Sequence, residues 1–430
     1  MLLLKNADLL LFEDGVKILK CGYLGIDGNR ISYIGIEPPK ETYSAQKDMT
    51  GHLLMPGIYN MHTHASMTLL RGLGSGLPLD KWLHDVIFPV EARLTAEDIS
   101  VGTRLAMLEM LASGIVSFSD MYDNPDITAD EVLKAGMRAN LNRPLLVLSQ
   151  TEDYEANRRV QKSRRFFSEY NGAGNGRIVA DFGIHAEYTS QASHVQRYAE
   201  ECLQAGAIMH LHLSETSKEH EACKARYNKT PTEWFYDLGV FENPTVAAHC
   251  VKLEERDIEL LCEKGVVCVH NPTSNMKLGS GFMPIKKLIK AGLMLTLGTD
   301  GAASNNNLNM FEEMHLAAII HNGFSEDPEL IKPEDILLMA TKNGAAAQAR
   351  PDCGELAIGN KADIIAVKTD APHLLPCHGI PALLVYSCQA SDVAMTMVDG
   401  VILYENGVYH TLDVEKIKYD TERAISRLFG

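Results

Sequence analysis

From Pro56 onward, short apolar runs typical of strands alternate with amphipathic stretches typical of helices. Such alternation predicts βα units and a parallel sheet. About eight strand-like runs occur, near residues 58–62, 114–118, 143–148, 178–184, 207–212, 244–249, 265–270 and 293–299. Helices are expected near residues 95–114, 128–138, 190–205, 253–264 and 308–322. This pattern predicts an α/β fold with a TIM-type (β/α)8 barrel. An open doubly wound sheet is the alternative, but no Gly-x-Gly-x-x-Gly follows the first strand.

Both ends of the chain show a different sequence pattern, with short strand-like runs that are not separated by helices. Asp27-Gly28-Asn29 is a strong turn signal between two such strands, and turn glycines return between apolar runs after about residue 350. We therefore predict one small β-sandwich domain built from residues 1–54 and 352–430, which includes a C-terminal helix. The barrel, residues 55–351, is inserted into it.

Charge and cysteine content restrict the class of protein. The net charge of -16 argues against a nucleic-acid-binding protein. One local basic run is best explained for the most part as a solvated helix face; it consists of Arg158, Arg159, Lys162, Arg164 and Arg165. The nine cysteines form no Cys-x-x-Cys pair, and no run approaches the length of a membrane span. The N-terminal run is expected to be a strand and not a signal peptide. These features predict a reduced, cytoplasmic protein that does not bind membranes.

The first barrel strand ends in a pair of histidines. Met55-Pro56-Gly57 predicts a turn, and Ile58 to Met61 then predicts a short buried strand. Residues two apart in a strand project from the same face, so His62 and His64 are expected to point the same way. Two converging imidazoles are a metal-ligand arrangement. Such a pair also occurs by chance, so the metal interpretation depends on polar residues farther along the chain.

Other polar residues stand where later strands are predicted to end, which is where barrel enzymes place their active sites. The fifth strand supplies His212 with Glu215 three residues later, the sixth ends at His249, and the eighth ends at Asp300. Several imidazoles and a carboxylate from different strands suit one divalent, zinc-like ion and leave a position for water.

Some of these residues also have a structural explanation. His210 lies deeper in the same strand as His212, which favours a satisfied histidine of the barrel interior. Glu215 could instead cap the following helix, and Asp300 before a glycine could be a turn residue. His270 has no partner pattern and is expected to be structural.

Taken together, these stretches resemble the amidohydrolase superfamily, and within it the 5-methylthioadenosine/S-adenosylhomocysteine deaminases. The resemblance spans essentially the whole chain. The matching stretches are Met55–Gly57, His62–His64, Trp82–Leu83, Pro89–Glu91, Leu105–Gly114, Asp120–Tyr122, His212–Thr216, Ala247–Cys250, His270–Leu278 and Gly298–Asn306.

The resemblance implies a role for each residue of the centre. The metal ligands are His62, His64, His212 and Asp300, and they hold one Zn2+ or another divalent transition metal. Glu215 is implied as the proton shuttle, His249 as the residue beside the attacking water that stabilises the developing charge, and Asp300 as a residue that helps ammonia to leave. No lysine occurs in the fourth strand, Ile178–Ile184, where related binuclear enzymes have one, so a single metal is expected.

The resemblance also implies a set of substrate contacts in addition to Glu215 and Asp300. Glu91 would accept hydrogen bonds from ribose hydroxyls, and Trp82 would pack near the 5′ side of the substrate. Arg143, Arg159 and His185 match positions that contact the substrate, and the arginines suit an amino-acid carboxylate. Whether Arg158 or Arg159 faces the substrate stays open. Arg143 acts across a subunit interface in such enzymes, which implies a homodimer or homotetramer.

One departure from the family pattern bears on the substrate. Ala186-Glu187-Tyr188 stands where the family commonly has Ser-Pro-Tyr. Glu187 is expected to add negative charge near the carboxylate end of the substrate. This would disfavour S-adenosylhomocysteine more than methylthioadenosine, 5′-deoxyadenosine or adenosine.

The sequence therefore predicts a zinc-dependent hydrolytic deaminase of adenine nucleosides. A chlorohydrolase or amidohydrolase of a triazine or another ring compound would use the same metal site, but would leave Glu91 and the arginines without partners. A non-catalytic binding protein on the same fold is a third possibility, although such a protein has no reason to keep the complete set of polar residues.

Overall fold

The computed structural model describes residues 1–147, 149 and 152–430. Five strands come first: β1 (Leu2–Phe12), β2 (Val16–Asp27), β3 (Arg30–Gly35), β4 (Ala45–Asp48) and β5 (His52–Pro56). The strands of the central region are β6 (Ile58–Thr63), β7 (Ile115–Met121), β8 (Arg138–Asn142), β9 (Pro144–Leu145), β10 (Ile178–Ala180), β11 (Phe182–Ile184), β12 (Met209–Leu213), β13 (Thr245–His249), β14 (Val267–His270) and β15 (Leu295–Leu297).

Helices connect the central strands. They are α1 (Leu79–Lys81), α2 (Phe88–Glu91), α3 (Ala96–Ala112), α4 (Pro125–Ala135), α5 (Arg158–Tyr170), α6 (Ala173–Gly176), α7 (Ala192–Ala205), α8 (Ser217–Tyr227), α9 (Pro231–Asp237), α10 (Glu255–Glu263), α11 (Pro272–Lys277), α12 (Ile285–Lys290), α13 (Met310–Ser325), α14 (Pro333–Ala340) and α15 (Lys342–Ala347). The chain then returns to strands, with β16 (Ile364–Lys368), α16 (Ile380–Tyr386), β17 (Val393–Val398), β18 (Val401–Glu405), β19 (Val408–Tyr409) and α17 (Val414–Phe429).

The central strands are parallel and form a closed barrel. They pair in the orders β10-β8-β7-β6 and β15-β14-β13-β12-β11-β9. One residue, Arg143, separates β8 from β9, and Asp181 alone separates β10 from β11, so each pair is one barrel strand with a break. The last strand region meets the first, because the backbone N–H of Asp300 donates to the carbonyl of His62 at 2.8 Å. The predicted TIM-type barrel is confirmed.

The third barrel strand lies earlier than the sequence prediction of 143–148. It occupies Arg138–Asn142 with Pro144–Leu145, and residue 148 of that prediction lies outside the described residues. The prediction was wrong because it followed the continuous apolar run that begins at Pro144, whereas only two of the five residues in Arg138–Asn142 are apolar. The polar side chains of this strand are bound inside the protein: Arg138 pairs with Asp363 at 2.7 Å, and Asn140 donates to Asp181 at 3.2 Å.

The predicted turn at Met55-Pro56-Gly57 is also shorter than expected. Met55 and Pro56 continue β5, and they pair with Ile365 and Ile364 of β16. Proline is tolerated there because it stands at the end of the strand. Gly57 alone separates β5 from β6, and a Cβ atom at this position would lie 2.3 Å from the Val116 side chain.

The strands from both chain ends form one sheet in the order β19-β18-β17-β16-β5-β1-β2-β3, with β4 beside β1. One apolar cluster collects residues from opposite parts of this sheet, including Leu24 of β2 and Met395 of β17. The edge strand β3 also contacts the segment that leads into β16, since the N–H of Ile31 donates to the carbonyl of Asn360 at 2.9 Å. The predicted sandwich is therefore a single sheet folded over its own core. The division at residues 54/55 and 351/352 stays a prediction.

The C-terminal helix α17 packs on α3 of the barrel. Leu428 joins Leu69 and Val101 in a small apolar cluster, and Arg104 pairs with Asp420 at 3.3 Å. Across the part of the chain that the structure describes, the helices are too short or too polar to cross a membrane.

Candidate active site

Four imidazoles meet at the carboxyl-terminal end of the barrel. His62 ends near the tip of β6, His212 lies in β12 and His249 ends β13, so parallel strands bring them to the same rim. The ring of His62 lies 4.9 Å from His64, 4.8 Å from His212 and 5.4 Å from His249, measured between ring centres. The Nε2 atoms of His64 and His212 are 3.4 Å apart.

The carboxylate of Asp300 completes this group. Its Oδ1 atom lies 3.2 Å from Nε2 of His64 and 3.6 Å from Nε2 of His62. Its Oδ2 atom accepts hydrogen bonds from the hydroxyls of Ser274 and Ser304, at 2.6 and 2.7 Å. Oδ2 is thus fixed by the two serine hydroxyls, and Oδ1 faces the imidazoles.

Each imidazole is oriented through its other ring nitrogen. Nδ1 of His64 donates to the carbonyl of Met121 and Nδ1 of His212 donates to the carbonyl of His185, both at 2.6 Å. Nδ1 of His249 lies 2.8 Å from Oδ1 of Asn275. Such contacts fix the tautomer and aim Nε2 at a common point, as partners behind metal ligands do.

His210 plays this supporting part for the remaining histidine. Its Nε2 atom lies 3.0 Å from Nδ1 of His62, and its Nδ1 atom lies 3.2 Å from the amide nitrogen of Asn142. The prediction that His210 is a satisfied interior histidine is confirmed. The expectation that His270 is structural agrees with its contact to His321, 2.9 Å between the two Nε2 atoms.

The donor set fits a divalent transition metal. Nε2 of His62 is buried and has no hydrogen-bond partner among the described residues, which is an unfavourable state for a polar atom unless a ligand occupies the point it faces. Two overlapping groups have ligand atoms within 4.8 Å of one another: His62, His212 and His249; and His62, His64 and Asp300. Nitrogen ligands with one carboxylate oxygen suit zinc.

The charges at this centre agree with a cation site. Burial lowers the pKa of His62 to about 4, so this ring is neutral at physiological pH. Burial opposes the charged form of His64 too, but hydrogen bonding and attraction to Asp300 raise its pKa to about 9. The contacts with His62 and His64 hold the pKa of Asp300 well below its usual range, although burial opposes this. A bound cation would take the place of the proton that His64 carries beside Asp300.

The backbone turns sharply where these side chains are presented. His249 has φ 73° and Asp300 has φ 60°, in the left-handed region that residues other than glycine rarely occupy. Each such residue costs on the order of 1 kcal/mol, and these conformations cluster at functional sites. The strand ends are therefore shaped by the site and not by local preference.

Glu215 lies beside the imidazoles and is buried. Its Oε2 atom is 3.9 Å from Nε2 of His249, and its Oε1 atom accepts from the hydroxyl of Ser280 at 3.2 Å. Burial raises the pKa of the Glu215 carboxyl above its usual range. A carboxyl whose pKa moves toward neutrality can take up and release a proton in one reaction cycle.

Glu215 does not cap the helix that follows it, which was the structural alternative. The capping box of α8 consists of Thr216 and Glu219. The buried carboxylate of Glu219 accepts from the backbone N–H groups of Ser214 at 3.2 Å and of Glu215 at 2.7 Å. Sequence reasoning missed Glu219, although the pattern Thr-x-x-Glu was there to find it.

A cavity of about 470 Å3 opens onto this centre. Its wall is largely apolar and is formed in part by α1, α2 and the π-helical turn Trp82–Ile87 between them. Several predicted site residues line it: His64, Trp82, Glu91, Arg159, His185, His212, Glu215, His249 and Asp300. We call the part with the imidazoles, Glu215 and Asp300 the inner end.

The outer end of the cavity is defined by Asp123 and Arg159, whose side chains are 40% and 25% exposed, against 0% for His62. Glu91 lines the same cavity, and its carboxyl interacts electrostatically with both His64 and Asp123. Burial raises the pKa of Glu91, and its Oε1 atom accepts from the hydroxyl of Tyr122 at 2.5 Å.

The predicted substrate contacts fall in different places. Trp82 is buried in the wall, where its indole N–H donates to the carbonyl of Leu73 at 2.9 Å. Burial lowers the pKa of His185 to about 3, and its ring lies 5.1 Å from that of His212. Of the two adjacent arginines, Arg159 lines the cavity and Arg158 does not.

Arg143 lies outside this cavity. It lines a second, smaller cavity of about 160 Å3, and its guanidinium reaches Asp123 at 3.3 Å. Within one chain, Arg143 therefore acts on the outer end through Asp123 and not by lining the cavity itself. Asp123 was not identified from the sequence, where a single aspartate before an asparagine carries no distinctive signal.

The expectation that Glu187 adds a negative charge near the substrate is wrong. Its carboxylate is buried and accepts two hydrogen bonds from Arg226, at 2.6 and 2.7 Å, so its charge is compensated. Glu187 also does not line the cavity, whereas its neighbour Tyr188 does.

A parallel barrel with imidazoles and a carboxylate at its strand ends is the arrangement of a metal-dependent hydrolase. The chain belongs to the amidohydrolase family, whose sequence profile matches residues 53–403. The resemblance seen in the sequence is thereby confirmed.

Related proteins match over nearly the whole chain. A 5′-deoxyadenosine deaminase of Methanosarcina acetivorans is 42% identical over 427 residues, which cover 99% of this chain and 98% of that protein. A 5-methylthioadenosine/S-adenosylhomocysteine deaminase of Acetivibrio thermocellus is 40% identical over 431 residues, with 99% of each covered.

Solved structures agree on the fold. An adenosine deaminase from Xanthomonas campestris with bound zinc superimposes with a TM-score of 0.93 at 29% identity, covering 99% of this chain and 98% of that one. An atrazine chlorohydrolase from Arthrobacter aurescens, in complex with zinc, has the same TM-score at 23% identity, with 99% and 100% covered. At that identity the likeness concerns the fold alone.

Proposed function

We propose that this protein is a metal-dependent hydrolytic deaminase of adenine nucleosides. Water replaces the amino group at C6 of the ring, which gives the inosine analogue and ammonia. The observation that carries the proposal is the inner end of the cavity, where the proposed ligands lie beside Glu215 and His249, with Glu91 in the wall of the same cavity. The names of the related deaminases support the same reaction.

The proposed ligands of the ion are His62, His64, His212 and Asp300. A divalent ion held there supplies Lewis acidity, which makes water acidic enough to act as a nucleophile near neutral pH. We propose one ion per subunit, because β10 and β11 contain no lysine that could bridge a second. His249 is kept beside the ion and not among its ligands.

Glu215 is proposed to move the protons. Its ionised carboxylate accepts a proton from the attacking water and passes it to N1 of the ring as the new bond to C6 forms. Asp300 then passes the proton of the new C6 hydroxyl to the amino group, so that the C6–N bond breaks, ammonia leaves and the C6 carbonyl forms. Because burial raises the pKa of Glu215, the group holds this proton more readily than an exposed glutamate would.

His249 and His185 are proposed to act on the ring. Nδ1 of His249 is held by Asn275, so Nε2 is directed toward the position proposed for the new bond, where the ring stabilises the developing charge. His185 stays neutral, because burial lowers its pKa to about 3, and it offers a neutral hydrogen-bonding surface beside the base.

Glu91 is proposed to accept hydrogen bonds from the ribose hydroxyls. Its carboxylate is half-buried, and Tyr122 fixes one of its oxygens. A charged acceptor in such a place distinguishes a riboside from a bare ring more strongly than an exposed one. Trp82 and the apolar wall would pack on the sugar side of the substrate.

Assembly and location are part of the same proposal. A homodimer or homotetramer is proposed from the family resemblance, and a cytoplasmic location is proposed from the unpaired cysteines.

The direct test is an ammonia-release assay on the zinc-loaded protein with methylthioadenosine, S-adenosylhomocysteine, 5′-deoxyadenosine, adenosine, guanine and cytosine in parallel. The ultraviolet shift from adenine to hypoxanthine gives a second readout. Turnover of adenosines alone is the expected result. No turnover of any of the six with zinc bound would overturn the proposal and favour hydrolysis of another ring compound.

A further inference from the structure

The outer end of the cavity contains a preformed ion pair. Nη1 and Nη2 of Arg159 lie 2.5 and 3.1 Å from Oδ1 and Oδ2 of Asp123, which is the parallel two-bond arrangement of a guanidinium and a carboxylate. Among the described residues that line the cavity, Arg159 is the only lysine or arginine. The one permanent cation of the cavity wall is therefore already bound to an anion of the protein itself.

The remaining contacts of these two residues strengthen the arrangement. Nη1 of Arg159 also donates to the carbonyl of Pro144 at 3.3 Å. Arg143 approaches Asp123 from outside the cavity at 3.3 Å. Asp123 therefore lies between two guanidinium groups: Arg159 donates two hydrogen bonds to its carboxylate, and Arg143 forms an ion pair with it.

The charged residues near this pair leave no excess positive charge to bind a second anion. The cavity wall here contains Glu91 and Asp123 against Arg159, a formal charge of -1. Counting Arg143 behind the wall brings the sum to zero. A carboxylate on the substrate would have to displace Asp123 from Arg159 and remain beside it, and two like charges a few ångströms apart repel one another. A neutral substituent meets neither cost.

We propose that Asp123 is a specificity-determining residue that makes the enzyme favour adenosines with a neutral 5′ substituent over those with a carboxylate. The favoured class contains methylthio, methyl and hydroxyl groups at the 5′ position, and the disfavoured class contains amino-acid thioethers such as S-adenosylhomocysteine. This inference rests on the proposed function. It replaces Glu187, whose charge Arg226 compensates, with a residue that does line the cavity.

The test compares kcat/KM for S-adenosylhomocysteine and for methylthioadenosine in the zinc-loaded, full-length protein. In the unsubstituted protein we expect methylthioadenosine to be favoured by at least about tenfold, the factor that corresponds to about 1.4 kcal/mol. Asp123→Asn removes the charge and keeps the shape, so the ratio should move toward S-adenosylhomocysteine by about threefold to fivefold. The matched control, Asp123→Glu, keeps the charge and should keep the preference for methylthioadenosine.

Two further substrates separate the charges of the amino-acid group. The methyl ester of S-adenosylhomocysteine lacks the negative charge and should recover much of the lost kcat/KM in the unsubstituted protein, which needs no variant. An aminopropylthio analogue has the ammonium without the carboxylate. If Asp123 instead binds the ammonium, Asp123→Asn lowers kcat/KM for this analogue and for S-adenosylhomocysteine, and the inference is overturned.

The outcomes also separate this inference from the proposed function. No deamination of methylthioadenosine by the unsubstituted protein would refute the function itself. Deamination of both substrates at equal kcat/KM, or a ratio that Asp123→Asn leaves unchanged, would refute only the role of Asp123.

Discussion

The inner and outer ends of the cavity are built in different ways. At the inner end, strand ends present buried side chains, and each imidazole is fixed by a second hydrogen bond, such as that of His64 to Met121 at 2.6 Å. At the outer end, Asp123 lies in the loop after β7, and Arg159 lies in the first turn of α5. An ion pair holds the two side chains in partly exposed positions. The barrel strands therefore position the groups proposed for catalysis, while the loops and helices between the strands position the groups proposed for substrate choice. These connecting segments can change without disturbing the barrel strands.

The largest effect is expected from removing a proposed metal ligand. His212→Ala should abolish zinc binding and lower kcat at least about 10^4-fold, because the proposed ion would activate the attacking water. Elemental analysis of the purified variant and the ammonia assay measure both effects. His270→Ala is the matched control, since His270 also ends a barrel strand and is buried but contacts His321. Loss of zinc in both variants, or in neither, would contradict the assigned ligand set.

A smaller effect is expected at Glu219, which holds the loop of Glu215. Glu219→Ala leaves the N–H groups of Ser214 and Glu215 without their acceptor, so kcat should fall on the order of tenfold to a hundredfold while bound zinc is unchanged. The free energy of unfolding should fall by about 1–2 kcal/mol, as for the loss of a helix cap.

The control for this prediction is Glu233→Ala. Glu233 occupies the same capping-box position in α9, where it accepts from the N–H of Thr230 at 2.9 Å, and it does not line the cavity. It should lose similar stability without a loss of kcat. Equal kcat losses in the two variants would mean that Glu219 has no particular effect on Glu215.

The smallest of these effects concerns the sugar. Glu91→Ala should raise KM for ribosides by about tenfold, the size expected for hydrogen bonds to a charged acceptor, and should leave KM for 9-methyladenine nearly unchanged. Steady-state kinetics with both substrates provide the measurement. Equal changes for the riboside and the bare ring would remove Glu91 from the ribose contact.

The two ends of the cavity also differ in how far the sequence predicts them. His62, His212, His249 and Asp300 could be placed together because parallel strands end at one rim, and this needs only a correct assignment of strands. The misplaced strand, Arg138–Asn142, has three polar side chains among its five residues, and all five are buried. Only Ala139 and Leu141 are apolar in it, which is a weaker signal for a buried strand than the continuous apolar run that follows.

The outer end could not be predicted in the same way. The pairs Asp123 with Arg159 and Glu187 with Arg226 join residues 36 and 39 positions apart. Whether a charge such as that of Glu187 faces substrate or a partner depends on tertiary packing, which no local pattern encodes. The sequence therefore led us to place a negative charge near the substrate at Glu187, whereas of these two acidic residues only Asp123 lines the cavity.

The most direct test of the proposed reaction is the effect of Glu215→Gln on the zinc-loaded protein. The substitution keeps the size of the side chain and removes its ability to accept and release a proton. We predict that bound zinc stays at the level of the unsubstituted protein and that kcat for methylthioadenosine falls by about 10^2–10^4-fold. Turnover at the unsubstituted rate with zinc in place would contradict the proton-transfer role of Glu215 and with it the proposed reaction.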